Sequence, residues 1–313
     1  MKISRNPLVS VRVITYNSAS TIQETLDSIK AQTYPNIELI ISDDCSKDNT
    51  VEICDKWLKQ NLNRFIQIKL ITAEKNTGVS ANVNRAEMAC DGEWIKGIAG
   101  DDLLMPDCVQ TYVDYITEHP DVVYVFANGR CFGKDAEYVK MLASHFAPDF
   151  FSWEKQKQLE YLYLCGSPIF AGSAFYNRKR CIDMGFKNDE RIPNYEDRPK
   201  WIRMIEQDIP HAYINKETIW YRISGSSIST TSAGSKVFNQ SIALFDKYYR
   251  IPFVERYGKL SKWDIFRHKL ENKKRLSENA FLKVICMGLR IIFGKEPEWT
   301  KGFSVTFAFW NNY

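Results

Sequence analysis

Short apolar runs alternate with longer segments of helical periodicity through the first 130 residues of the chain. Val9 to Ile14 is a β-branched run of the kind that fills a buried strand. After Thr15-Tyr16-Asn17, the sequence Ser20-Thr21-Ile22-Gln23 has the form of a capping box, and Ile22, Leu26 and Ile29 follow at helical spacing. Ile37 to Ile41 predicts a second strand. It runs into the polar turn Ser42 to Thr50, after which Val51, Cys54 and Leu58 mark a helix face. Ile66 to Ile71 predicts a third strand, Val79 to Ala89 a helix of small residues, and Trp94 to Ile98 a fourth strand. Pro106 suits the first position of the next helix, with Val109, Tyr112, Val113 and Ile116 apolar, and Val122 to Ala127 predicts a fifth strand. Strands of this length alternating with helices predict an α/β domain whose mostly parallel sheet is covered on both faces.

The second half is less regular. Phe146 to Trp153 reads as an aromatic loop, Glu154 to Leu164 as a short helix and Gly166 to Tyr176 as a small-residue and aromatic stretch. Lys200 to Glu206 has helical spacing at Trp201, Ile202 and Ile205, and Ile219 to Ile223 reads as a strand. Ser224 to Ser235, rich in Ser, Thr and Gly, has the composition of a mobile lid. Phe238 to Tyr249 reads as a helix with Ile242, Phe245 and Tyr249 on one side.

Composition narrows the class. At 313 residues, 44% hydrophobic and 26% charged, the chain holds enough apolar material for a large core and is not of disordered type. A net charge of +4 does not point to a nucleic-acid partner, but it is unevenly placed. Residues 246–301 carry 14 Lys and Arg against 7 Asp and Glu, a net +7, which leaves −3 for the rest. The eight cysteines form no C-x-x-C pair and read as reduced thiols packed as small hydrophobes. The four histidines are isolated, which argues against a zinc site. The N-terminus lacks the form of a signal peptide and no run reaches the roughly 20 apolar residues of a spanning helix, so a cytoplasmic protein is expected.

Ligands of such sheets sit outside the carboxyl ends of the strands. Three acidic pairs carry the candidate chemistry: Asp43-Asp44 after the second strand, Asp101-Asp102 after the fourth, and Glu196-Asp197 before a helix. Adjacent buried carboxylates call for a compensating cation or a hydroxyl-rich ligand, and hard oxygen donors suit Mg²⁺ or Mn²⁺. Taken singly, Asp43-Asp44 and Glu196-Asp197 also fit helix-start caps, and Arg85 fits an ion pair with Glu87 or Asp91. No G-x-G-x-x-G follows the first strand and no P-loop motif occurs, which weighs against a dinucleotide dehydrogenase or a P-loop enzyme.

Six segments in one order, VSVRVITYN, ELIISDDCSKDNT, NTGVSANVNRA, GDDLLMPD, NYEDRPKWIRM and YRISGSSIS, resemble the inverting GT-A glycosyltransferases of family 2, over roughly Val9 to Ser229. The resemblance implies a mixed, mostly parallel Rossmann-like sheet flanked by helices, a UDP-sugar donor and a Mn²⁺ or Mg²⁺ ion. It places Thr15, Tyr16 and Asn17 against the nucleoside, Asp44 on the uracil N–H with Asp43 beside it, and Arg85 on the nucleotide. It assigns Asp101 to the ribose or the metal, Asp102 to the metal, and Asp197 to the general base supported by Glu196. The family's metal motif often begins with a further acid, and Ala99 stands there in this chain. The implied layout is a catalytic domain over 1–234, with a nucleotide-binding half 1–130 and an acceptor half 131–234, followed by an extension 235–313.

The extension is basic from Lys259 to Arg275, apolar from Phe281 to Phe293, and alternates aromatic residues near the end. At about 1.5 Å per residue, residues 281–293 are too short to span a bilayer but suit a helix lying in its surface. Packing of the tail on the catalytic domain is the other reading. With the resemblance, the tail fits a peripheral protein on the cytoplasmic face of the inner membrane, acting on a lipid-diphosphate-linked saccharide in O-antigen or capsule assembly. Two other classes fit less well. A sugar nucleotidyltransferase would carry a Gly-rich basic loop after the first strand, and a non-catalytic carbohydrate-binding descendant would have no need of Asp101, Asp102 and Asp197.

Overall fold

The computed structural model describes residues 6–133, 148–223 and 232–257. The first half runs β1 (Val9–Thr15), α1 (Ile22–Lys30), β2 (Ile37–Asp43), α2 (Thr50–Gln60), β3 (Gln67–Thr72), α3 (Val79–Ala89), β4 (Trp94–Ala99), β5 (Leu103–Leu104), α4 (Cys108–Glu118) and β6 (Tyr124–Gly133). The second half adds α5 (Lys155–Leu164), β7 (Phe175–Asn177), α6 (Arg178–Asp183), α7 (Asp197–Glu206), β8 (His211–Ile223), α8 (Ser232–Phe245) and α9 (Ile251–Tyr257).

All eight strands join one sheet in the order β3-β2-β1-β4-β7-β6-β8-β5. The pairs β1–β2, β2–β3, β1–β4 and β6–β8 are parallel, and β4–β7, β6–β7 and β5–β8 are antiparallel. The sheet is thus mixed and mostly parallel, with β1 at the middle of its parallel half. Strand β2 shows why its run is unbroken: Leu39 and Ile41 enter the core under α1, α2 and α4, and Ile40 the core under α3, α5 and α7. A strand covered on both faces cannot alternate with polar residues. Trp94, Phe175 and Tyr112 stack at ring-centroid distances of 5.1 and 4.8 Å, which ties β4, β7 and α4 at the join of the two halves.

Several boundaries differ from the sequence pattern. Thr21, not Ser20, caps α1, and its hydroxyl donates to the carbonyls of Ser18 and Gly100 instead of closing a capping box; Gln23 is exposed. Pro106 lies two residues before α4, and Asp107 stands at the cap. β5 is an additional two-residue strand, held by the antiparallel edge of β8. The fifth predicted strand extends to Gly133, and residues 219–223 are the end of a 13-residue strand, because β6 and β8 pair along nearly their whole length. In the aromatic segment, Pro148–Ser152 is a 3₁₀ helix. Residues 232–235, expected in the lid, begin α8, and the helix expected over 238–249 is α8 followed by a single π turn, Asp246–Arg250. Residues 224–231, and the basic and aromatic stretch from 258 onward, lie outside the described residues.

Helix α8 packs on the segment before α7: Phe245 is fully buried against Tyr195, and Ser241 Oγ accepts the N–H of Asn194 at 3.2 Å. Among the described residues no helix is long and apolar enough to cross a membrane. All seven described cysteines are free, and the six that are buried pack as small side chains in the core.

Candidate functional site

The carboxyl ends of β2, β1 and β4 lie side by side, with Thr15 in register with Asp43 and Ile14 with Ala99. The loops beyond them are stitched together. Asp44 N–H donates to Thr15 O at 2.9 Å, and Gly100 N–H to Ile14 O at 2.9 Å. Asn17, at φ +52°, donates its N–H to Ser46 Oγ, and its side-chain oxygen accepts from Lys47 N, both at 2.8 Å. Tyr16 projects from this junction and is 45% exposed, which leaves its ring face open to a planar ligand.

Asp43 and Asp44 point in different directions and do different work. Asp43 is buried and accepts from Thr15 Oγ1 at 2.8 Å and from Ser46 N and Oγ at 2.8 and 2.5 Å, so it shapes the loop. Asp44 accepts from Thr77 N and Gly78 N on one oxygen, both at 2.8 Å. On the other it accepts from Thr77 Oγ1 at 2.6 Å and Arg85 Nη2 at 3.1 Å. Those four donors fill the lone-pair positions of a carboxylate. Arg85 therefore pairs with Asp44, while Glu87 and Asp91 pair with Lys200 and Lys69. Sequence pattern marks Thr77 and Gly78 only as part of a turn, Asn76-Thr77-Gly78, and not as site residues. That turn was their one signal: Gly78 has φ +86°, and a Cβ there would sit 2.7 Å from Pro193 Cβ.

That contact links two acidic stations. Two residues after Gly78, Ser80 donates its N–H and its hydroxyl to Pro193 O and Ile192 O at 2.8 and 2.5 Å. Asn84 bonds the backbone of Asn188 and the Glu190 carboxylate. The first turns of α3 thus hold Asp44 on one side and the segment leading to Glu196-Asp197 on the other. Glu196 caps α7 and Asp197 opens it, its Oδ1 accepting the N–H of Arg198 at 2.7 Å. Burial, and then the charge of Asp197, push the Glu196 carboxyl up to about 7. Burial also raises Asp197, against the N–H and the charge of Arg198.

The third station follows β4. Asp102 is 2% exposed and its Oδ1 accepts the backbone N–H of Arg222 at 2.8 Å. The Arg222 guanidinium donates from Nε to Asp101 O at 2.7 Å, pairs with Glu24 at 2.6 Å and lies over the Phe132 ring. Arg222, at the end of β8, is a site residue to which the sequence motifs assign no role. Burial raises both aspartates, and the charge of Asp101 adds to the rise at Asp102. Among the described residues no group of three or more His, Cys, Asp and Glu forms a complete metal cage. Two hard carboxylates that repel each other in a buried loop do fit a Mg²⁺- or Mn²⁺-type ion that takes its remaining ligands from phosphate and water.

The sequence and the fold are matched by known proteins. The sequence profile described as "Glycosyl transferase family 2" matches residues 10–184, more than half of the chain. The chain belongs to glycosyl transferase family 2. It is therefore a member of a family of sugar-transferring enzymes. It is 27% identical to EpsE of Bacillus subtilis (strain 168) over 206 residues, covering 66% of this chain and 69% of EpsE. It is 31% identical to the hyaluronan synthase of Pasteurella multocida over 137 residues, 44% of this chain and 14% of that protein. The chain likewise spans only 16% of the y4gI protein of Sinorhizobium fredii. Staphylococcus aureus TarS 1–349, solved with UDP, superposes with a TM-score of 0.55 at 17% identity, over 96% of this chain and 79% of TarS. The mannosyltransferase PcManGT of Pyrobaculum calidifontis, solved with GDP-Man and Mn²⁺, gives 0.58 at 16% identity, over 97% and 85%. The fold is that of the GT-A glycosyltransferases, as the sequence motifs implied.

Proposed function

We propose that the chain is an inverting, metal-dependent glycosyltransferase that moves a sugar from a UDP-sugar to an acceptor hydroxyl. The observation that carries this reading is that Asp44 and Asp101-Asp102 follow the carboxyl ends of β2 and β4, the two neighbours of β1, while the start of α3 ties Asp44 to the segment that leads to Glu196-Asp197. In this reading the uracil stacks on Tyr16 beside Thr15 and Asn17. Its ring N–H takes the place of Arg85 on Asp44 Oδ1, since that bond, at 3.1 Å, is the longest of the four there. Asp43 holds the loop that carries the base. Asp101 faces the ribose or the metal. Asp102, with Asp101, would hold a Mn²⁺ or Mg²⁺ ion, which when bound neutralises the charge developing on the leaving diphosphate.

On the acceptor side Asp197 is the general base and Glu196 supports it. Asp197 Oδ1 is turned into the helix by Arg198 N–H, and the other oxygen remains to take the proton of the attacking hydroxyl. A single displacement of this kind inverts the anomeric configuration. TarS in complex with UDP and UDP-GlcNAc supports a UDP donor, and PcManGT with GDP-Man and Mn²⁺ supports a divalent ion. The basic and aromatic tail supports docking at the cytoplasmic face of the inner membrane, with a lipid-diphosphate-linked saccharide as acceptor in surface-polysaccharide assembly. Deletion of residues 281–313 is then expected to abolish binding to anionic vesicles while the catalytic domain stays folded.

Calorimetry on the full chain with UDP, UDP-glucose, UDP-galactose, UDP-GlcNAc and GDP-mannose, each with and without Mn²⁺, tests the reading. Mn²⁺-dependent binding of UDP and its sugars is expected, and its absence overturns the proposal. Asp197→Asn is expected to spare donor binding and lower turnover by about 10²–10⁴-fold. Normal turnover in that variant removes Asp197 as the base.

A further inference from the structure

Behind the acceptor-side acids lies a buried charged cluster that the transfer reaction does not itself use. Arg12 leaves β1 on the face opposite Val11 and Val13. It is in register with Gly97 on β4, and a Cβ at residue 97 would collide with Arg12 Nη2, so the glycine admits the guanidinium. Glu87 comes from α3, Tyr176 from β7 and Lys200 from α7. The Tyr176 hydroxyl donates to Glu87 Oε1. Lys200 Nζ donates to the same oxygen at 3.2 Å and lies 4.5 Å from the Tyr176 ring centroid. Only 6% of the Lys200 side chain and 15% of Glu87 are exposed.

The position of Lys200 is the informative part. It follows Glu196 by four residues, the spacing and order at which a glutamate and a lysine on one helix pair directly. Its ammonium instead crosses to a carboxylate on another helix. We propose that Glu87 and Lys200 are positioning residues for the acceptor-side acids: Glu87 draws Lys200 across to α3, which fixes the first turns of α7 and withholds a direct cation partner from Glu196.

Arg12 and Lys200 are the cations that act on both Glu87 and Glu196. Arg198 acts on Asp197 and is bonded to the Leu162 carbonyl and Tyr195 Oη and set against the Phe245 ring. The Cys90 thiol, which also faces Arg12, is kept neutral by burial, which pushes it up to about 12. Glu87 is held below its ordinary range: burial opposes this, but Lys200, Arg12 and the Tyr176 hydroxyl outweigh it, so the negative charge stays on Glu87. Burial and Asp197 meanwhile raise Glu196, with Arg12 and Lys200 opposing only at a distance.

This inference rests on the reading of Glu196 and Asp197 as the acceptor station, yet its test needs no turnover. The full chain, labelled with ¹³C at glutamate carboxyl carbons and assigned with Glu196→Gln, is titrated by NMR from pH 5 to 9. Glu87→Gln frees Lys200 to pair with Glu196 and is expected to lower the Glu196 midpoint by about one pH unit or more. Lys200→Met is expected to raise it. Tyr176→Phe, which loosens Glu87 without removing a charge, is expected to shift it in the Glu87→Gln direction by less. Folded variants whose Glu196 midpoint stays at the parent value, or moves in the reverse sense, overturn the proposal. A chain that shows these shifts but transfers no sugar at any pH refutes the transferase reading alone.

Discussion

The backbone N–H of Arg222 donates to Asp102 Oδ1 at 2.8 Å, so the end of strand β8 holds the carboxylate that follows β4. These residues are 120 positions apart, and neither gives a local signal of the contact. The same arginine anchors the carbonyl of Asp101 and reaches Glu24 on α1. The position of the acidic loop is therefore set from β8 as well as from its own strand.

Arg222→Met keeps the backbone bond to Asp102 but removes the guanidinium. The exposed partner Glu24 contributes little on its own. The loss lies in the bond to Asp101 O and in the positive charge that steadies two buried carboxylates, on the order of 1–3 kcal/mol. Mn²⁺-dependent UDP binding, measured by calorimetry, is expected to weaken about tenfold or more. Binding in the absence of Mn²⁺ is expected to change by much less.

Asp44→Asn tests the other end of the donor site. The amide that replaces one oxygen turns a donor toward donors, either Thr77 N and Gly78 N or Thr77 Oγ1 and Arg85 Nη2. Breaking a largely buried ion pair and its bonds is expected to destabilise the fold by about 3 kcal/mol. The midpoint of urea unfolding falls accordingly, and UDP affinity falls with it. Thr77→Val, close in shape but without the hydroxyl, is expected to show about a third of that loss of stability.

Gly78→Ala bears on the tie between stations. A methyl group at φ +86° is strained, and it would meet Pro193 Cβ at 2.7 Å and Pro193 O at 2.9 Å. The proline ring and its backbone are both fixed in place, so neither yields easily. A loss of more than about 1 kcal/mol is expected. Turnover should fall more than donor affinity, because the shifted segment leads to Glu196 and Asp197.

The fold was legible where local pattern and tertiary packing agree. The runs at β1, β2 and β4 are apolar because both faces are covered, and the small-residue periodicity of α3 marks both its ends. The misses share a cause. Thr21 spends its hydroxyl on Gly100 O, a partner 79 positions away, so a local capping box could not form. β5 exists only because β8 offers an edge to Leu103 and Leu104. In the site, acids at strand ends were visible as types, but their partners were not. Thr77 meets Asp44, Arg222 meets Asp101 and Asp102, and Lys200 meets Glu87 through contacts between distant elements that no periodicity encodes.

Glu196 gives a pH dependence with a definite sign. Its folded carboxyl is raised from an ordinary 4.5 to about 7 by burial and by Asp197. Between those values the folded chain holds more protons than the unfolded one, so this group's contribution to stability falls as pH rises through that window. Each step of one in pH across the window is worth about 1.4 kcal/mol, a few kcal/mol at most in all. Glu196→Gln is expected to gain stability over the parent at pH 8 and to lose that advantage at pH 5, read from urea unfolding at the two pH values.

Lys96 predicts the opposite slope at higher pH. It leaves β4 two residues before Ile98, wholly buried, and donates to the carbonyls of Gly97 and Gly172. Burial pushes its ammonium down to about 8 from 10.5, against weaker attraction from Cys108 and Asp102. Between those values the unfolded chain holds more protons, so stability rises with pH across the window. A depressed lysine also means that its charged form burdens the fold at neutral pH. Lys96→Met fills a similar volume, removes that burden and forfeits two carbonyl bonds of about 1 kcal/mol each. The relief of the buried charge outweighs the two bonds, so a gain on the order of 1 kcal/mol is expected at pH 7. What should disappear is the rise between pH 8 and 10, measured as the urea midpoint of the variant against the parent. The Gly172 turn also loses its tether to β4, so acceptor-side turnover is expected to fall in the variant while UDP affinity holds.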